Sequence, residues 1–303
     1  MRILMSAAGS AAAITIIRHL RALGHFVIGM DADALAAPLA EEECDEFFLA
    51  PLALSSEYPA FLQQLSSHID LFIPFIDEEL RILASGAVDD TILSKTLLCP
   101  ADTIRLCTSK IAFQQFCEEQ HLPIAPRTDT LPAIYKPDHG RGGRGIMRLD
   151  DLDLLNYARK QQGVIQSLLS GTEYTVDVLT DKQGQWIFGL PRKRLQTAGV
   201  SRIGEIDIHP AVIALAQECV IKIPFSYAIN IQIMLDKDEK PYLIEINPRF
   251  AGSLMFSVAA GFDILKMTLD TFAENPITIP AYAAIKKLRS IRYWQEQEYE
   301  QPC

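Results

Sequence analysis

Glu245 and Asn247 stand two residues apart in the segment PYLIEINPRF. In a strand, residues i and i+2 share a face, so this acid and amide point one way and Ile244 and Ile246 the other. Upstream, Asn230 and Gln232 share a face of NIQIML in the same manner. The polar stretch Asp236–Lys240 separates the two runs, and the pattern predicts a hairpin of Tyr227–Leu235 with Pro241–Asn247. An even number of loop residues would bring Gln232 and Glu245 to one side. Oxygen donors gathered in this way suit Mg2+, a hard cation that takes one or two carboxylates and completes its shell with phosphate oxygens. Arg249, two residues further on, can stabilise charge developing on a transferred phosphoryl group. The surrounding residues are apolar, and an acid buried there alone would be costly, so Glu245 is expected to be paired or metal-bound.

A second cluster lies upstream. His139–Gly145 (HGRGGRG) contains Gly140, Gly142, Gly143 and Gly145, which allow close backbone approach and offer N–H groups to an anion. Arg141 and Arg144 add positive charge. The loop lacks the lysine and hydroxyl of a Walker A sequence and the position of a dinucleotide fingerprint. Lys136 precedes it at the end of a short strand, Ala133–Lys136, where an ammonium can sit on a phosphate as a point charge. Lys110 opens a helix predicted over Thr108–Gln120, where a cation opposes the helix dipole unless an anion is near. Taken singly, the loop reads equally as a surface turn and each lysine as an exposed side chain.

The elements that position these groups follow from the rest of the chain. Its 303 residues are 49% apolar and 22% charged, values of an ordinary globular protein of two or three domains. With 38 acids against 28 bases the net charge is −10, which argues against a nucleic-acid partner. Six cysteines form no C-x-x-C and no zinc pattern, so reduced thiols in a cytoplasmic protein are expected. Met1–Ile17 has the basic start and apolar run of a leader, but Gly9-Ser10 interrupts it and a strand, turn and helix explain it better. It is too short for a membrane span. Strands at Met1–Met5, His25–Met30, Phe47–Ala50 and Ile69–Phe75 alternate with helices at Ala11–Leu23 and Ser56–Ser67, which predicts a parallel sheet. Asp31, Asp77 and Glu78 then fall at the carboxyl ends of strands, where ligands gather in such sheets. Further strands are expected at Val164–Gln166, Thr172–Thr180 and Gln185–Leu190, the last followed by a basic loop carrying Arg192, Lys193, Arg194 and Arg202. Helices are expected at Asp150–Gln162, Pro210–Ile221 and Leu254–Ala273, the last interrupted near Gly261, and the tail from Gln295 is expected to be loose.

Lys110, Lys136, the HGRGGRG loop, VIQSLLSGTEYTVDV (164–178) and NIQIMLDKDEKPYLIEINPRF (230–250) occur in the order found in ATP-grasp enzymes. VIGMDADALAAP (27–38) and IDLFIPFIDEEL (69–80) resemble the preceding domain of the carbamoyl-phosphate-synthase-like branch, so the resemblance covers the chain to about Phe272. It implies an α/β protein, α+β in its C-terminal part: a Rossmann-like parallel-sheet domain at 1–107, a lid subdomain with linking helix at 108–168, a larger antiparallel-sheet subdomain at 169–294, and a polar tail at 295–303. It implies an ADP-forming ligase that activates a carboxylate as an acyl-phosphate and joins it to an amine. Lys110, Lys136, His139, Gly140, Gly142, Gly143 and Gly145 would hold the ATP phosphates. Gln166 and Leu168 would present backbone groups to adenine, and Glu173 would hold the ribose. Gln232, Glu245 and Asn247 would bind Mg2+, or Mn2+ in its place, while Arg249 and Lys136 would act in catalysis. Arg192, Arg194, Asp77 and Glu78 are the candidates for reading the carboxylate and amine. The chain shows no second synthetase half, glutaminase segment or biotin-attachment motif. Two other readings compete, a non-catalytic ATP sensor and a dinucleotide-dependent oxidoreductase. An exposed apolar face on the first domain could support a homodimer.

Overall fold

The computed structural model describes residues 1–140, 142–198, 200–293 and 295–299. Arg141 of the glycine loop and Cys303 lie outside the described residues. The chain divides into two compact units, residues 1–98 with 292–303, and residues 99–291.

In the first unit, β1 (Arg2–Met5), β2 (Phe26–Asp31), β3 (Glu46–Leu49) and β4 (Leu71–Ile73) form an all-parallel sheet in the order β3-β2-β1-β4. Ile3, Leu4, Met5 and Leu71–Ile73 are fully buried, as expected of strands covered on both faces. The crossovers carry α1 (Ala13–Ala22), α2 (Ala37–Glu43) and α3 (Tyr58–Leu65), and α4 (Asp77–Leu83) and α5 (Asp90–Leu93) follow β4. Helix α1 buries Ala13, Ile16, Ile17 and Leu20, one stripe of a 3.6-residue period, and ends before Gly24 at φ +84°. Asp77 and Glu78 begin α4, just beyond β4. Leu35, Leu49, Leu52 and Leu54 are exposed on this unit, and nothing in the structure shows what covers them.

The next residue of α4, Glu79, is 3% exposed. Its partners are hydroxyls, Ser6 and Tyr58, and burial pushes its carboxyl up to about 7 from the ordinary 4.5. The native state therefore binds more protons than the unfolded chain between these values. Stability is full below about 4.5 and falls as pH rises toward 7, by about 3 kcal/mol. Glu79→Gln should flatten this slope, and thermal melts of both proteins from pH 5 to 8 check it. An equal slope in the two would remove Glu79 as its source.

The second unit begins with α6 (Ala101–Thr108) and α7 (Lys110–Glu119), two helices broken at Ser109 rather than the one expected from Thr108. A three-stranded antiparallel sheet follows, β5 (Ala133–Pro137), β6 (Met147–Leu149) and β7 (Gly163–Ser167), ordered β6-β5-β7 and backed by α8 (Leu152–Ala158). The larger sheet contains β8 (Gly171–Thr180), β9 (Trp186–Ala198), β10 (Val200–Ile206), β11 (Ala228–Asp236), β12 (Pro241–Asn247) and β13 (Arg289–Ile291), in the order β12-β11-β8-β9-β10-β13. Its strands pair antiparallel throughout. Helices α9 (Pro210–Lys222), α10 (Met255–Ala260) and α11 (Ile264–Phe272) complete the unit, with Gly261 at φ +106° closing α10. The basic run was expected in a loop after Leu190, but β9 continues through it to Ala198 and turns back as β10. Among the described residues no helix is long and apolar enough to cross a membrane.

Candidate functional site

A cavity of about 320 Å3 in the second unit is lined from both of its sheets. Lys136, Ile134 and Gln166 come from the small sheet, Gly142 and Gly143 from the loop after β5, Leu168 from the connection between sheets, and Glu173, Arg194, Gln232 and Glu245 from the large sheet.

The hairpin β11–β12 forms the floor. Gln232 pairs directly with Glu245 and Asn230 with Asn247, so all four side chains share a face. The register shifts after Gln232, at Ile233, where a bulge absorbs one residue. Gln232 Nε2 donates to Glu245 Oε1 at 2.6 Å and Asn247 Nδ2 to the same oxygen at 3.3 Å. Glu245 Oε2 lies 4.0 Å from Lys110 Nζ. Arg249 Nη2 donates to Asn247 Oδ1 at 3.4 Å. Gln232, Glu245, Asn247 and Arg249 are thus brought together. Among the described residues no group of three or more His, Cys, Asp or Glu could hold a metal. The donor set is one carboxylate with amide oxygens, which fits Mg2+ completed by phosphate and water and does not fit the nitrogen and sulfur preference of zinc.

Lys136 lines the cavity, and Lys110 stands beside its lining residue Glu245. The backbone N–H of Lys110 donates to Asp138 O, that of Ile111 to Asp138 Oδ1, and Ser109 Oγ also donates to Oδ1. Asp138 therefore fixes the start of α7 beside the glycine loop, and Lys110 Nζ donates to Gly140 O at 3.1 Å. Lys136 is 9% exposed, and its side chain makes no hydrogen bond or ion pair among the described residues. Burial lowers its proton affinity, and Lys110 adds to this, while Glu245 and Glu173 oppose it. Such a cation is poised for an anion. Gly142, Gly143 and Gly145 have φ of +63°, +77° and +74°, and at Gly145 a Cβ would meet Pro137 Cγ at 3.2 Å. His139 is turned away toward Thr108, with Nδ1 2.8 Å from its carbonyl oxygen.

Gln166 is buried and donates to Gln114 Oε1 and to Ala125 O, tying β7 to α7. Arg194 Nη1 donates to both Glu173 and Gln232 Oε1, linking the two ends of the cavity floor. Burial raises the proton affinity of Glu173, opposed by Arg194. Arg192 was expected to be available for a substrate carboxylate. It is fully buried, and both of its terminal nitrogens already donate to Asp177, Ser253 and Ser257. Asp77 and Glu78 belong to the first unit and are not among the residues that line this cavity. Sequence reasoning passed over Asp177, although the alternation of β8 placed it on the face of Glu173.

Residues 159–296 match the family described as ATP-grasp in the biosynthetic pathway with Ter operon. The carbamoyl phosphate synthase large chain of Xylella fastidiosa is 28% identical over 213 residues, which cover 60% of this chain and 19% of that relative. The chain thus spans about a fifth of the length of that protein. Among solved structures, the N5-carboxyaminoimidazole synthetase of Staphylococcus aureus complexed with ADP is 15% identical, covers 91% of this chain and 78% of its own, and has a TM-score of 0.72. The L-amino acid ligase of Bacillus licheniformis is also 15% identical, with 89% and 74% covered and a TM-score of 0.67. An ATP-grasp family thus matches residues 159–296, the chain is similar in sequence to carbamoyl phosphate synthase large chains, and the solved structures share its fold.

Proposed function

We propose that the chain is an ATP- and Mg2+-dependent ligase that joins a small-molecule carboxylate to an amine. The observation that carries this reading is the convergence of two lysines, a glycine loop, a Glu–Gln–Asn oxygen patch and Arg249 around one cavity region. Lys110, Lys136 and the loop N–H groups would grip the phosphates, the segment 166–168 would hold adenine and Glu173 the ribose. Gln232, Glu245 and Asn247 would hold Mg2+, which supplies neutralisation of phosphate charge when bound. The substrate carboxylate oxygen attacks the γ-phosphorus, and the bond from that phosphorus to the β,γ-bridging oxygen breaks to release ADP. The amine nitrogen then attacks the acyl carbon, the C–O bond to phosphate breaks, and the nitrogen loses a proton. Arg249 would offset the negative charge that builds on the phosphoryl group and then on departing phosphate. Little covalent chemistry falls to the protein, and positioning supplies the rate. The five described cysteines are free, and a reducing cytoplasm is the proposed compartment.

The test is ADP and phosphate release with Mg·ATP across amino acids and other small carboxylates, singly and paired with amines. Release that requires both partners, with mass spectrometry finding the condensed product, supports the ligase. ADP binding with no release from any pair favours the sensor, and no nucleotide binding overturns the proposal.

A further inference from the structure

Behind the oxygen patch lies a buried ion pair that the chemistry above leaves unused. Arg192 and Asp177 have side-chain exposures of 0% and 1%. Arg192 donates to both oxygens of Asp177, and Ser257 Oγ donates to Oδ2 at 2.6 Å. A buried pair of this kind returns little net stability compared with well-packed apolar residues, so its value is sought in what it orients.

Asp177, Asn230 and Asn247 lie in one row across β8, β11 and β12. An ionised carboxylate only accepts hydrogen bonds. Asn230 Nδ2 therefore turns toward Asp177, lying 3.5 Å from Oδ1 and 3.4 Å from Val176 O. Its Oδ1 is left facing β12, where it accepts from Asn247 Nδ2 at 3.4 Å. Asn247 gives Nδ2 to Glu245 as well, so both amide hydrogens are taken, one by Asn230 and one by Glu245. The only atom it can then present outward, beside Arg249, is Oδ1.

We propose that the Asp177–Arg192 pair is a positioning element for the cation patch: through Asn230 it fixes the polarity of Asn247, so that an oxygen and not an NH2 group faces the cavity side. This rests on the assignment of Gln232, Glu245 and Asn247 to the metal. Arg192 holds the Asp177 side chain in place, and Asp177 sets the direction of the two amides in series. Asn230 and Arg192 themselves touch neither metal nor nucleotide.

The experiment measures Mn2+ binding by electron paramagnetic resonance in the presence of ADP, ADP binding in EDTA, and thermal melting. Asn230→Leu cuts the relay and leaves the ion pair intact, the double variant D177N/R192M removes the charge that sets it, and Arg192→Lys keeps that charge. The first two should weaken Mn2+ binding at least about tenfold, the scale of lost support to metal ligands, with metal-free ADP affinity and cooperative melting kept. Arg192→Lys should retain Mn2+ affinity within about threefold, because orientation and not bulk stability is what the pair supplies. Unchanged Mn2+ affinity in folded Asn230→Leu overturns the relay, whether or not the double variant folds. Wild-type protein that binds neither ADP nor Mn2+ overturns the ligase reading instead, so the two failures are told apart.

Discussion

Glu245→Gln is expected to lower turnover by about 10²–10³ while leaving the melting temperature nearly unchanged. Glu245 is the anionic member of the oxygen patch, held between Gln232 at 2.6 Å and Asn247 at 3.3 Å. An amide at this position keeps the shape and removes the charge that opposes a divalent cation. It also loses one acceptor, so the Gln232–Asn247 convergence loosens. The stability cost is small because the pair with Lys110 is long, 4.0 Å, with side chains 14% and 29% exposed, and such a pair contributes at most about 1 kcal/mol. ADP release at saturating Mg·ATP, set beside melting curves, checks both halves. Full turnover in the variant would remove Glu245 from the metal.

Lys136→Met should produce two effects of opposite sign. Nucleotide affinity should fall about 10–100-fold, the value of one charge-assisted hydrogen bond to phosphate. The nucleotide-free protein should melt higher, because a desolvated ammonium lacking a partner is replaced by an apolar chain of similar length. The lowered proton affinity of Lys136, caused first by burial, states the same cost: the fold holds the charged form less favourably than water does. ADP titration calorimetry and melts of the free protein measure the two. A fall in both would make Lys136 a structural residue, and unchanged affinity would remove it from the phosphates.

Most of the site-bearing hairpin was legible because local rules govern it. The two-residue spacing of Asn230 with Gln232 and of Glu245 with Asn247 defines the shared face, and the polar turn fixes which strand meets which. The shared faces follow, but the Gln232–Glu245 pairing does not: Asp236–Lys240 holds five residues, an odd number, and only the bulge after Gln232, which nothing in the one-dimensional pattern marks, brings the two opposite each other. The basic segment PRKR failed for the opposite reason. A proline and three cations in succession read as a solvated loop. In the fold each cation meets an acid from a distant stretch, Arg192 with Asp177, Lys193 with Asp207 and Arg194 with Glu173, and the strand continues. Charge compensation across strands is a tertiary property, invisible along the chain. The break at Ser109 is subtler: Ser109 caps α7 with its side chain on the N–H of Ala112 and is anchored by Asp138, which lies far along the sequence.

The hairpin has a further consequence for how such a protein can change over time. Asn230, Gln232, Glu245 and Asn247 sit on adjoining strands joined by one tight turn, whereas Lys110 and Lys136 come from elements roughly a hundred residues earlier. On the proposed reading the cation half of the grip is encoded in one short contiguous stretch, and the phosphate half elsewhere. On that reading, substitutions within the stretch would silence the chemistry while leaving the lysines and loop proposed to grasp a nucleotide. A gene copy released from selection for turnover would retain a nucleotide-holding shell after only two or three changes, a short path from enzyme to receptor.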